Sequence, residues 1–187
     1  MKYYFWVFIT GIFLFTGCSS STKKQQNPSE TQRIFMIYSS DLFQPPDDPD
    51  EHYDIAMLFS LNEIEIKAMI FDLASSKHQP EEVGKTALEQ LSKITGKATP
   101  PWKIGLRHPL RSPDDKALEQ PEEFQGGVEL ILSTLEQSEE QVVMFLVGSC
   151  RDFVVAYNRN PVQVFRYTHP DYNEIMSSVL AGILESL

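Results

Sequence analysis

The sequence predicts an α/β fold, a layered and mostly parallel β-sheet with helices on its faces. Three observations support this fold class. Short apolar segments alternate along the chain with longer amphipathic segments. The short segments are almost continuously apolar, as strands buried on both faces are. The longer segments repeat their apolar residues with the period of a helix, and strand–helix alternation of this kind is typical of a parallel sheet.

Four segments are predicted as strands. Residues 33–38 (RIFMIY) and 141–147 (QVVMFLV) are nearly all apolar, residues 63–71 alternate before becoming apolar, and residues 102–104 are expected as a short strand. Ligands of such sheets bind at the carboxyl ends of the strands. The candidate site is therefore expected among three loops that follow strands, at residues 39–49, 72–78 and 148–152.

Five helices are predicted, the first with its apolar core at residues 55–61 and the others over residues 80–95, 127–135, 152–160 and 173–187. The second has the most regular pattern. Its apolar residues recur every three or four positions, and Gly96 follows where a helix C-cap is expected.

The N-terminal segment is predicted to be a targeting signal. Lys2 precedes an apolar run that is shorter than the roughly 20 residues needed to span a bilayer. Residues 14–18 (LFTGC) resemble a bacterial lipobox, in which Cys18 becomes lipid-modified and the chain is cut before it. Such a protein is anchored to a membrane of the bacterial cell envelope through its lipid. The alternative is an ordinary signal peptide with an incidental cysteine.

The domain organisation follows from this interpretation. We expect a signal peptide over residues 1–17, a polar tether over residues 18–31 and a single domain over residues 32–187.

The composition indicates an acidic globular protein. Of its 187 residues, 42% are hydrophobic and 11% aromatic, and the formal charge is −10. Disordered chains contain fewer aromatic residues, and a nucleic-acid-binding protein needs a basic surface that this sequence does not encode. Two cysteines are too few for a disulfide framework, and Cys150, at a strand end, is expected to be a small buried residue.

The loop after the first strand is rich in carboxylates. Residues 41–54 contain six acidic side chains, among them Asp41, Asp50 and Glu51. Calcium prefers oxygen ligands, and carboxylates supply both charge and bidentate bonds. The spacing is not that of an EF-hand. It leaves two interpretations open, a metal site or a solvated acidic loop that favours the start of the next helix.

Two neighbouring residues are also ambiguous. His52 is either part of a pocket or a surface residue of the first helical turn. Asp54 lies one turn after Asp50 and is either a further ligand or a solvated side chain.

Four segments, in the same order along the chain, resemble the calcium-dependent nucleoside hydrolases. Residues 39–41 (SSD), 50–51 (DE) and 61–66 (LNEIEI) resemble that family's N-terminal signature, Asp-Thr-Asp-x-Gly-x-Asp-Asp followed by Pro-Glu-Ile-Glu-Val. The other three are residues 106–110 (LRHPL), similar to a Gly-Ala-x-x-Pro-Leu turn, residues 147–153 (VGSCRDF), similar to Gly-Pro-Leu-Thr-Asn, and residues 171–173 (DYN), similar to Glu-Phe-Asn.

The resemblance implies hydrolysis of the N-glycosidic bond of ribonucleosides, or of related N-glycosides, with a bound calcium ion. It implies that Asp41 binds calcium and acts as general base toward the attacking water. Asp50 would bind ribose hydroxyls and the ion, and Glu51 would be a calcium ligand. The backbone carbonyl of Arg151 would supply another ligand oxygen, and Asn173 would contact the ribose.

Departures from the family pattern define a second hypothesis. Glu51 and Ser39 stand where the family has aspartates, residues 71–76 replace its sugar-binding Thr-Val-x-Gly-Asn segment, and the chain has about half the family's length. The alternative is a truncated or non-catalytic relative, an envelope lipoprotein that binds a sugar-like ligand or a partner. A homo-oligomer is also expected, because a short layered sheet leaves an apolar edge exposed.

Overall fold

The structure is a computed structural model and describes residues 33–41, 49–72 and 80–168, without the side chains of residues 80–83. The chain divides into two compact units, Met1–Thr31 and Gln32–Leu187, and all described residues belong to the second unit. The predicted signal peptide, the tether and the C-terminal helix over residues 173–187 lie outside the described residues. Within the described part of the chain, no helix is long and apolar enough to cross a membrane.

The predicted α/β fold is confirmed. Four parallel strands form one sheet in the order β3-β2-β1-β4. The strands are β1 (Ile34–Ser40), β2 (Ile64–Phe71), β3 (Trp102–Ile104) and β4 (Val142–Leu146). The helices are α1 (Asp50–Ser60), α2 (Pro80–Thr95), α3 (Gly126–Glu136), α4 (Arg151–Arg159) and α5 (Pro161–Thr168), and a 3-10 turn spans Glu122–Phe124.

The sheet separates two apolar cores, because successive side chains of a strand point to opposite faces. In β1, Ile37 packs in the core beneath α3, α4 and α5, whereas Met36 and Tyr38 pack in the core beneath α1 and α2. The same alternation in β2 places Ile70 in the first core and Phe71 in the second. Helices on both faces are what a parallel sheet requires.

α1 begins at Asp50, so Asp50, Glu51 and His52 lie in its first turn, as predicted, and the acidic side chains there favour a helix N-terminus. One prediction about local structure was wrong. Cys150 is exposed and not buried, because it lies at the position before α4 rather than inside the sheet. Helix α5 was not predicted at all.

Candidate functional site

The carboxyl ends of three adjacent strands bring the predicted loops together. Asp41 follows β1 and Asp72 follows β2, and the last residues of these strands, Ser40 and Phe71, are paired in register. On the other side of β1, Ser39 pairs with Leu146, near the end of β4. The turn from β4 into α4 therefore lies at the same edge of the sheet as Asp41 and Asp72.

Three of the predicted site residues meet there as a group of carboxyls. Glu51, in the first turn of α1, is 5% exposed, and its carboxyl lies within hydrogen-bonding reach of the carboxyls of Asp41 and Asp50. Asp41 Oδ1 and Glu51 Oε2 are buried, and neither accepts a hydrogen bond from a donor. Asp50 is exposed at the start of the helix.

The crowding of these carboxyls changes the protonation of Glu51. Burial is the largest cause that raises its pKa to about 8, and the hydrogen bonds to Asp41 and Asp50 raise it further in the same direction. Glu51 is therefore protonated at neutral pH in the cation-free protein. A proton shared between neighbouring carboxyls takes the place that a hard cation could occupy.

Tyr38 lies under the same group of carboxyls. Its side chain is fully buried, and its hydroxyl has no hydrogen-bond partner of normal geometry. Burial raises the pKa of Tyr38 above its ordinary value, and the charges of Asp54, Glu51 and Asp50 act in the same direction. A hydrogen bond with the Ser40 side chain acts against that increase. The buried atoms that need an explanation at this edge are therefore the carboxylate oxygens Asp41 Oδ1 and Glu51 Oε2.

The donor set fits a hard cation, although it is not a preformed cage. Within the described residues, no three His, Cys, Asp or Glu side chains already surround a common metal position. The three clustered side chains, Asp41, Asp50 and Glu51, offer oxygen ligands, which suit calcium better than a soft metal. Asp47 and Asp48, in the same loop, lie outside the described residues.

The remaining predicted residues have different surroundings. Arg151 begins α4 at this edge, but the carbonyl of a first-turn residue points along the helix, away from its start. Its role as a backbone ligand stays a prediction that would require the first turn of α4 to open. Asn173 and Cys18 lie outside the described residues. His52 is partly buried, its Nδ1 has no partner, and burial lowers its pKa.

Asp72 is a site residue that the sequence did not reveal. Its carboxylate is fully buried at the end of β2, where Oδ1 accepts a hydrogen bond from Arg151 Nη2 at 2.6 Å and Oδ2 accepts one from the Ser149 N–H. Burial raises the pKa of Asp72, and the Arg151 charge acts against that increase. Its place at a strand end was a usable signal, but its partner is 79 positions away in sequence.

Asp152 is a second buried acid that the sequence analysis missed. It is 1% exposed, and both carboxyl oxygens accept the Leu106 N–H, at 3.1 and 3.2 Å. Burial raises its pKa to about 7. This contact fixes the loop after β3 against the start of α4.

A groove at the opposite end of the sheet has a different character. It encloses about 610 Å³ between the end of α1 and the start of β2. Its acidic residue Glu65 is already paired with Lys67 at 2.6 Å and with Arg33 at 3.3 Å. The groove therefore offers no unpartnered carboxylate comparable to those of Asp41 and Glu51.

Comparison of the sequence with models of known protein families and with curated proteins finds no match. Functional assignment therefore depends on the geometry of the carboxyl side chains at the carboxyl ends of the strands.

Proposed function

We propose that this protein is a calcium-dependent hydrolase of N-glycosides, of the kind that the resemblance to nucleoside hydrolases implies. The observation that supports the proposal is the pair of buried, unpartnered oxygens, Asp41 Oδ1 and Glu51 Oε2, at the carboxyl ends of parallel strands. Buried polar atoms without partners are rare in folded proteins and need an explanation. A bound cation supplies one.

Each residue of the edge has a separate role in this proposal. Glu51 and Asp50 would hold the cation, which when bound would supply positive charge to orient the sugar hydroxyls and to favour ionisation of water. Asp41 accepts the proton of the attacking water, since its carboxylate lies beside Glu51 at the strand end. The water oxygen bonds to the anomeric carbon as the N-glycosidic bond breaks, and the proton accepted by Asp41 passes through solvent to the departing base, which gives free sugar and free base.

The test of activity is release of reducing sugar from a panel of nucleosides with calcium, in the wild type and in Asp41→Ala. We expect release by the wild type only and loss of at least 10²-fold in Asp41→Ala, as for removal of a general base. Equal release by the two proteins would overturn the enzyme proposal. Calorimetric titration with calcium measures the cation site independently of turnover.

A non-catalytic, ligand-binding relative is the second candidate, and the Asp72–Arg151 ion pair favours it. The family's sugar-binding segment is replaced at residues 71–76, and Asp72 in that segment is bound by Arg151 rather than open to a ligand. This candidate predicts calcium binding, or binding of a sugar-like ligand, without release of reducing sugar.

We also propose that Cys18 is lipid-modified and anchors the protein to the bacterial envelope. The support is the LFTGC sequence at the end of an apolar run. In a bacterial host, Cys18→Ala should abolish labelling with a radioactive fatty acid. Undiminished labelling of Cys18→Ala would overturn the anchor.

A further inference from the structure

Asp72 connects the ends of three strands. Its N–H donates to the carbonyl of Ser40, the last residue of β1, at 2.8 Å. Its carboxylate accepts hydrogen bonds from the Ser149 N–H and from the Arg151 guanidinium, both beyond β4. Asp72 directly follows β2, so this one buried residue connects the ends of β2, β1 and β4.

Arg151 is held as firmly as its partner. The guanidinium of this side chain, only 15% exposed, donates from Nε to Ser149 Oγ at 2.7 Å and from Nη1 to the Arg107 carbonyl at 2.9 Å. Ser149 Oγ also accepts the Arg151 N–H at 3.1 Å. The Arg151 charge compensates Asp72, so that Asp72 is an ion-pair partner and not a free carboxylate at the edge.

The turn that this pair holds lies directly against Asp41. A Cβ atom added to Gly148 would be 3.1 Å from the Asp41 nitrogen and 3.5 Å from the Asp41 Cβ. The same atom would be 3.4 Å from Asp72 Oδ2. The turn at Gly148 therefore lies close to the Asp41 backbone and to the Asp72 carboxylate, with room for a glycine but little for a larger residue.

We propose that Asp72 and Arg151 form a positioning pair for Asp41. The pair holds the 148–151 turn against the Asp41 backbone and so fixes the direction in which the Asp41 carboxylate, with its unpartnered Oδ1, faces Glu51. The inference rests on the proposed cation site, of which neither side chain of the pair is a ligand. Partners that orient ligands without touching the metal commonly change its affinity 10–100-fold.

The experiment titrates the full chain with terbium as a luminescent calcium probe, followed by displacement with calcium. The variants are Asp72→Asn, Arg151→Met and the double substitution. Glu65→Gln is the matched control, because it removes a carboxylate from an ion-pair network at the opposite end of the sheet. Circular dichroism and thermal unfolding accompany each titration, so that affinity and folding are measured separately.

We expect each single variant to bind terbium about 10- to 100-fold more weakly than the wild type. The double variant should bind terbium about as well as the single variant with the lower affinity, because the two side chains act as a unit. Glu65→Gln should bind as the wild type does. If Asp72→Asn fails to fold, Arg151→Lys takes its place. Lysine retains the positive charge but cannot make the three hydrogen bonds of the guanidinium, so this variant should also bind terbium more weakly.

The outcomes separate this inference from the proposed function. Folded variants with wild-type affinity would overturn the positioning role and leave the cation site intact. Lower thermal stability with unchanged terbium affinity would also overturn the positioning role, since it would show that the ion pair is only structural. Absence of terbium binding to the wild type would overturn the cation site and the positioning role together.

Discussion

Asp152 accepts the Leu106 N–H with both oxygens of a buried carboxyl, at 3.1 and 3.2 Å. The space around it is tightly filled, since a Cβ added to Gly105 or Gly127 would lie 2.3 or 2.5 Å from an Asp152 oxygen. Glycines on the loop after β3 and at the start of α3 thus allow the acid of α4 to approach both backbones. An ionisable group in such a position makes stability depend on pH.

The first prediction is that Asp152 makes the protein less stable as pH rises. Burial raises its pKa from 3.8 to about 7, so the folded state binds the proton more tightly than the unfolded state does. The stabilisation is complete below pH 4 and is lost as pH rises through 7, by up to about 1.4 kcal/mol per pH unit. Urea unfolding of the wild type at several pH values measures this slope.

Asp152→Asn is the variant that isolates this effect. Asparagine retains one acceptor oxygen for the Leu106 N–H and does not ionise. The decrease of the unfolding free energy with pH between pH 4 and 7 should therefore be smaller in Asp152→Asn, by the amount that titration of one group contributes. Asp152→Ala is the comparison, because it removes the acceptor and should destabilise at every pH. An unchanged slope in Asp152→Asn would show that Asp152 does not titrate in this range.

The second prediction concerns Glu51 in the cation-free protein. Its pKa is raised from 4.5 to about 8, first by burial and then by Asp41 and Asp50. Stability from the protonated Glu51 should therefore be present at pH 4 and be lost as pH rises through 8. Thermal unfolding in the presence of a chelator should show a falling midpoint over this range, and Glu51→Gln should reduce the fall.

Calcium should reverse this trend, because the cation replaces the proton between the carboxyls. The increase in midpoint caused by added calcium should be larger at pH 8 than at pH 5 in the wild type. The same comparison in Glu51→Gln should show a smaller calcium effect at both pH values. A calcium effect that does not depend on pH would argue against Glu51 as the proton-bearing ligand.

The elements with the strongest apolar patterns were predicted from the sequence. β1, β2, β4, α2 and α3 were placed within about two residues, because their apolar faces are dictated by burial in the two cores. α5 was missed because Asn160 and Pro161 read as the end of a helix. Proline is also frequent at the first position of a helix, and that signal could have identified α5.

The candidate site was only partly predictable. Asp41, Asp50 and Glu51 are near one another in sequence, and the strand–helix pattern indicated that they share one edge. The partners of Asp72 and Asp152 are 79 and 46 positions away, at Arg151 and Leu106. Such pairs depend on how strand ends are stacked across the sheet, which local pattern and composition do not determine.

The third prediction distinguishes two glycines by what they touch. Gly148→Ala should weaken calcium or terbium binding with little loss of stability, because its Cβ would press on the Asp41 nitrogen from 3.1 Å. Gly84→Ala should do the opposite. Its Cβ would lie 2.4 Å from the buried Phe71 ring, so overpacking should cost about 1–3 kcal/mol of unfolding free energy while a folded sample binds normally.

Both quantities are measured on both variants, by urea unfolding and by terbium titration. The two glycines control for each other, since each substitution adds one methyl group. Equal binding losses in both variants would mean that affinity follows general destabilisation rather than the contact with Asp41.

The fourth prediction concerns the outer strand of the sheet. In the described part of the chain no strand pairs with the free edge of β4, and Val143 and Phe145 on one of its faces are 45% and 36% exposed. Phe145 stacks on Tyr38, so this face continues the α1 side of the sheet. An open edge with an adjoining apolar face favours association with another chain.

We therefore expect the protein to self-associate as its concentration rises, and Val143→Lys to shift it toward the monomer, because a charge on an outer strand opposes edge pairing. Ile94→Lys is the matched control, since Ile94 is 80% exposed but lies on α2, away from the edge. Sedimentation velocity over a range of concentrations measures both. A wild type that stays monomeric throughout, or an equal effect of the two lysines, would show that β4 does not mediate association.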